Sequence, residues 1–134
     1  MLTENKIVEL VCSQLERDHF SIVQKLDTNQ TGIDIIAISP DGKQYEIEAK
    51  GATSSKENSF RYGKEFNKSQ VKTHIGMALV ASFKVKNRNQ KNEAIIALPN
   101  NDANINEIKA LKIPILNSGI KVWLVDEHGI EKFI

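Results

Sequence analysis

Asp34, Glu48 and Lys50 are the side chains whose types and spacing suit joint chemistry. Asp34 lies in Gly32-Ile33-Asp34-Ile35-Ile36-Ala37-Ile38, and the other two lie in Tyr45-Glu46-Ile47-Glu48-Ala49-Lys50-Gly51. Both runs read as strands. Successive strand side chains point to opposite faces, so Glu48 and Lys50 share one face while Ile47 and Ala49 take the other. Between the runs, Ser39-Pro40-Asp41-Gly42 has the proline and glycine of a type I turn. That turn folds residues 33–38 and 43–50 into an antiparallel hairpin and brings Asp34 near Lys50. A carboxylate inside so apolar a run costs several kcal/mol unless it is compensated. Two arrangements compensate it: an ordinary ion pair with Lys50, or a divalent cation held between Asp34 and Glu48, with Lys50 beside it for phosphodiester hydrolysis.

An acid on one strand, a short turn, and acid-any-lysine on the next resembles the PD-(D/E)xK nuclease superfamily, the restriction-endonuclease-like fold. The pattern covers roughly residues 4 to 99, and Ile33 stands where the family's name has proline. The resemblance implies an α/β fold with an αβββαβ core, a central mixed sheet flanked by helices. To that core this chain adds a C-terminal helix and β-hairpin, all within one domain. It implies a divalent-metal-dependent endonuclease acting on nucleic acid, DNA first, with Mg²⁺ or Mn²⁺ held by Asp34, Glu48 and the backbone carbonyl of Ala49. Lys50 would position water or neutralise charge developing on the phosphate; neighbouring carboxylates favour the charged ammonium, which argues against a general base. Related nucleases often complete the site with a glutamate from the first helix, for which Glu9 is the best-placed candidate and Glu4 and Glu16 are the others. They also draw a glutamine or lysine from the second helix, which Gln70 or Lys72 would match. Glu46 is a possible outer acid, and His74 a less favoured general base. The rival is a non-catalytic nucleic-acid-binding or assembly module that keeps the fold.

Charge patterning bears on the partner. The net charge of +1 conceals −5 over residues 1–49, +8 over residues 50–91 and −2 over residues 92–134. Ten basic side chains against two acidic ones in the middle block, beginning at Lys50, suit a polyanion. The polar stretch after Gly51 and the helix beyond it supply the candidate phosphate contacts Thr53, Ser54, Ser55, Lys56, Arg61, Lys64, Lys68 and Lys72, with Tyr62 suited to stacking. That stretch is expected to order fully only on substrate.

Other schemes fit worse. At 134 residues and 40% apolar, the sequence is that of an ordinary globular domain. No apolar run approaches a transmembrane span, and the first residues lack the order of a signal peptide, so a cytoplasmic protein is expected. A lone Cys12 excludes an internal disulfide and a Cys-built zinc site. His19, His74 and His128 have no ligand spacing, and glycine-rich phosphate loops and serine elbows are missing.

Periodicity supplies the remaining elements. Ile7, Val8, Leu10, Val11 and Leu15 mark a first helix capped at Thr3 or Asn5, followed by a strand over Phe20–Leu26. A second helix starts at Asn67 or Ser69, with residues 76–85 alternatively a strand. Lys84 to Asn92 reads as a solvated connector, and Glu93–Pro99 as a buried strand. A helix capped by Asn100, Asn101 or Asp102 should stop at Pro114, and 120–125 with 130–134 form a last hairpin, whose apolar strands are a possible homodimer interface.

Overall fold

The computed structural model describes residues 1–27, 29–54 and 63–134. Chain order is α1 (Glu4–Arg17), β1 (Ser21–Lys25), β2 (Ile35–Ile38), β3 (Gln44–Ala49), α2 (Lys68–Arg88), β4 (Glu93–Pro99), α3 (Asp102–Ala110), α4 (Lys112–Ser118), β5 (Lys121–Asp126) and β6 (Gly129–Lys132). The six strands form one mixed sheet in sequence order, with β3, β4 and β5 mutually parallel and the other pairings antiparallel. This is an α/β protein with helices on both faces of the sheet.

Each layer follows from a local pattern. The stripe Ile7, Val8, Val11, Cys12 and Leu15 recurs at helical spacing, so α1 buries one side against Ile35, Ala37, Ile47, Ala49, Ile95, Ala97, Trp123 and Val125. Alternate residues of the same strands face the other way, where Ala94, Ile96, Leu98, Val122 and Leu124 meet Val71, Ile75, Ala78 and Val85 of α2 and Ile108 of α3. Successive parallel crossovers in one direction keep one hand, which places α2 and α3 on the same side and leaves the opposite face to α1. Because β4 lies between two parallel neighbours and under helices on both faces, all seven of its residues are buried.

Three expectations need correction. Helix α2 runs unbroken for 21 residues to Arg88, so residues 76–85 are not a strand and the connector shrinks to Asn89–Asn92. Gly76 is exposed and needs no packing partner, so its cost of about 1 kcal/mol is outweighed by the stripe Val71, Ile75, Ala78, Ser82 and Val85 opposite. Pro114 does not stop a helix: α3 already ends at Ala110, and Pro114 sits in the first turn of α4, where no intrahelical N–H bond is lost. The first strand of the motif forms its ladder only from Ile35, leaving Asp34 just ahead of it.

The start of α2 is held by a reciprocal cap, with the Gln70 N–H donating to Asn67 Oδ1 at 2.9 Å and the Asn67 N–H to Gln70 Oε1 at 2.9 Å. Asn67→Ala is expected to cost about 1 kcal/mol, read as a lower urea midpoint at unchanged slope. Among the described residues no helix is long and apolar enough to cross a membrane.

Candidate active site

The hairpin register sets the core of the site. Ile35 pairs with Ile47 and Ile36 with Glu46, so one step beyond the ladder Asp34 stands opposite Glu48. Since Ile35, Ala37, Ile47 and Ala49 pack on α1, Asp34 and Glu48 point to the α2 side. Asp34 is only 7% exposed, and its Oδ2 accepts the Ala49 N–H at 2.8 Å, closing the ladder with a side chain where β2 has not yet begun. Its own carbonyl accepts the Leu26 N–H at 2.8 Å, tying the same residue to the end of β1. Lys50 continues β3 by donating its N–H to the Ala97 carbonyl at 3.0 Å, which keeps its side chain on the Glu48 face. The N–H and C=O of one strand residue leave on the same side, so the Ala49 carbonyl is on the Asp34 side.

A fourth charged group joins these from α1, and it is Glu4. Its carboxyl is pushed up to about 7, chiefly by burial, further by the charge of Asp34, with Lys50 opposing. Glu48 is pushed up to about 8, again first by burial, then by its hydrogen bond to Asp34 and the charge of Asp34, against the pull of Lys50. Two carboxyl groups at one strand end that keep their protons near neutrality are what crowding of acids in low dielectric produces. Gly51 allows the crowding: a Cβ there would overlap the backbone N of Glu4 and lie 2.8 Å from the Thr3 carbonyl carbon. The approach is held by Ala52, whose N–H donates to the Leu2 carbonyl at 2.7 Å, and by the bridge between Thr3 and Thr53.

Several candidates lie elsewhere. Glu9 is exposed and pairs with Lys6 at 3.6 Å; five residues along the helix from Glu4, it is about 7.5 Å farther up and on another side. Glu16 is exposed near the far end of α1. Gln70 is committed through its carbonyl oxygen to the α2 cap. Glu46 is buried and accepts from Arg88 Nη2 at 3.1 Å and Asn92 Nδ2 at 3.0 Å, so it anchors the end of α2 rather than assisting the site. Thr53 is 5% exposed and bridged to Thr3, and Ser54 is half-buried. Lys64, Lys68 and Lys72 are exposed. Ser55, Lys56, Arg61 and Tyr62, with the expectation about ordering of their stretch, lie outside the described residues. His74 is half-buried against Phe66, with ring centroids 4.6 Å apart, and is held below the usual histidine range by burial and by the charge of Lys50.

Two carboxylates and a carbonyl are the donor types that a hard cation takes. Among the described residues no three His, Cys, Asp or Glu side chains close round one point as a preformed metal cage. Mg²⁺ does not require one, since it is characteristically held by one or two carboxylates plus waters and substrate phosphate.

The chain matches no family model, no curated protein and no solved structure. Function therefore has to be argued from the site.

Sequence reasoning preferred Glu9 to Glu4 because spacing along a helix does not tell which turn meets a strand end. The usable signal was Gly51, directly after the motif lysine, a residue that admits close backbone approach.

Proposed function

We propose that the protein is a divalent-metal-dependent nuclease that hydrolyses phosphodiester bonds, with DNA as the first substrate to test. The observation that carries the reading is the convergence of Asp34, Glu48, Lys50 and Glu4 on one end of β3. Support for a restriction-endonuclease-like core comes from the first six elements, which run α-β-β-β-α-β. The net charge of +8 over residues 50–91 supports a polyanionic substrate.

On this reading Asp34 and Glu48, with the Ala49 carbonyl, would hold Mg²⁺ or Mn²⁺. When bound, the cation supplies polarisation of the scissile phosphate and a bound water of lowered pKa. Asp34 is fixed by the Ala49 N–H, so its carboxylate is oriented before any ligand arrives. Glu48 and Glu4, whose ionised forms burial disfavours, would have to give up their protons for a cation to be held there. Lys50 offsets charge building on the phosphate oxygens and orients water. His74, held below the usual histidine range by burial and by the charge of Lys50, leaves the positive charge at this point to Lys50.

The bond from the Ala49 N–H to Asp34 favours a second reading, in which the acids only complete the hairpin and the domain binds nucleic acid without cutting it. Plasmid, single-stranded DNA and RNA incubated with Mg²⁺ or Mn²⁺ separate the two. Cleavage should fall about 10²–10³-fold or more in Asp34→Asn and in Lys50→Met. Cleavage unchanged in both variants removes the proposal, while salt-sensitive, Mg²⁺-independent binding with no cutting establishes the second reading.

A further inference from the structure

Glu48 lies at one side of a groove of about 810 Å³ bordered by Ile33 and by the open side of α2, through Met77, Val80, Lys84 and Arg88. Its walls are unusual for a surface that meets a polyanion. Of its lining residues Met77 is 56% exposed and Val80 53% exposed, two large apolar side chains three residues apart on one helix. Scattered apolar residues are ordinary on a protein surface, but a group of them beside a cluster of acids calls for an occupant. The groove exists because α2 packs on β3 and β4 and leaves Ile36 and Ile38 of β2 half-buried.

Charge selects among occupants. Lys72 and Lys84 are exposed on α2, and Arg88 at its end is paired with Glu46. A second copy would bring two such positive segments together, which is unfavourable. A duplex would satisfy the lysines but offer the apolar wall nothing, because its base faces are stacked inside. Unpaired nucleotides offer both phosphates for the lysines and exposed base faces for Met77 and Val80.

We infer that the groove receives a single-stranded stretch of nucleic acid, bases against Met77 and Val80 and phosphates toward Lys72 and Lys84, an assignment of substrate class that rests on the nuclease reading. A strand lying there runs past Glu48, so the bond to be broken would be in or beside an unpaired segment. The test is fluorescence anisotropy in EDTA with one labelled oligonucleotide offered as single-stranded DNA, as its duplex and as single-stranded RNA. Binding without metal separates recognition from cutting. The single strands are expected to bind about 10-fold tighter than the duplex. Met77→Ser/Val80→Ser, both at exposed positions, should weaken single-strand binding about 10-fold and leave duplex binding nearly unchanged. Lys84→Ala should lower the salt slope by about one. Equal or tighter duplex binding overturns the inference, as does a double variant that weakens both forms alike. So does a dimer in sedimentation that the double variant dissolves, which would make the groove an interface between copies. The DNA and RNA arms report which sugar is preferred. Cleavage of duplex with no single-strand preference defeats the groove assignment and spares the nuclease, and single-strand binding without cleavage under Mg²⁺ or Mn²⁺ does the reverse.

Discussion

Glu48→Gln is expected to melt higher than the parent at pH 8 while losing cleavage by about 10²–10³-fold or more. The carboxyl of Glu48 is raised from the ordinary 4.5 to about 8 in the folded protein, first by burial and then by Asp34. The folded state therefore holds this proton more tightly than the unfolded chain does. Its stabilising effect is complete below about 4.5 and is lost as pH rises to about 8, the opposite of the usual behaviour of a salt-bridged acid. Glu4, raised to about 7, acts in the same direction. At pH 8 an ionised Glu48 is a cost, and glutamine removes it. Discounted for partial exposure and screening by solvent, the gain is about 1–2 kcal/mol, or about 3–6 °C for a chain of this size. Mg²⁺ should restore the parent's stability at pH 8, more strongly than at pH 6, and do little for the variant. Melting curves from pH 5 to 9, with and without Mg²⁺, check all of this. Should the variant melt lower than the parent at every pH, Glu48 is a structural partner of Lys50 and the site reading is lost.

Gly51→Ala is expected to destabilise by about 2–4 kcal/mol and to abolish cleavage along with stability. Its Cβ would overlap the Glu4 backbone and crowd Thr3, so α1 must lift from the end of β3. With it go the bond from the Ala52 N–H to Leu2 and the placement of Glu4 beside Asp34. Hydrogen exchange should quicken first at the Ala52 N–H and at Ile7, which donates to Thr3 at 3.0 Å. Gly76→Ala is the control: no atom lies within 4 Å of a Cβ there, the residue is mid-helix, and about 0.5–1 kcal/mol of added stability is expected. Urea titrations of the two variants moving in opposite directions would separate a glycine needed for close approach from one that is merely tolerated. Equal stability of Gly51→Ala and parent would mean that α1 does not need this contact.

The hairpin was legible because everything that makes it is local. Alternation placed Glu48 and Lys50 on one face, and Pro40 and Gly42 turned the chain so that Asp34 came near Lys50; that Asp34 stands opposite Glu48 itself was set by the register. Glu93–Pro99 was equally plain, since seven consecutive apolar or paired residues bounded by proline suit a strand buried on both faces. The length of α2 was not, because Gly76 and the polar run Lys84–Asn92 argue locally for a break, and only burial of Val85 and the pairing of Arg88 with Glu46 carry the helix on. Glu46 shows the same limit: two residues from Glu48 on the same strand face, it differs from it only because the end of α2 comes down upon it.

By itself, then, the sequence determined which side chains share a strand face and where the chain turns, since these depend on a backbone period of two and on proline and glycine at fixed offsets. Tertiary structure alone decided that Glu4 rather than Glu9 reaches Asp34, that Glu46 is consumed by Arg88, and that α2 leaves an apolar groove beside Glu48. Those outcomes depend on how whole helices are seated on the sheet, which is set by the sum of many burial contacts and by one glycine that lets two backbones touch.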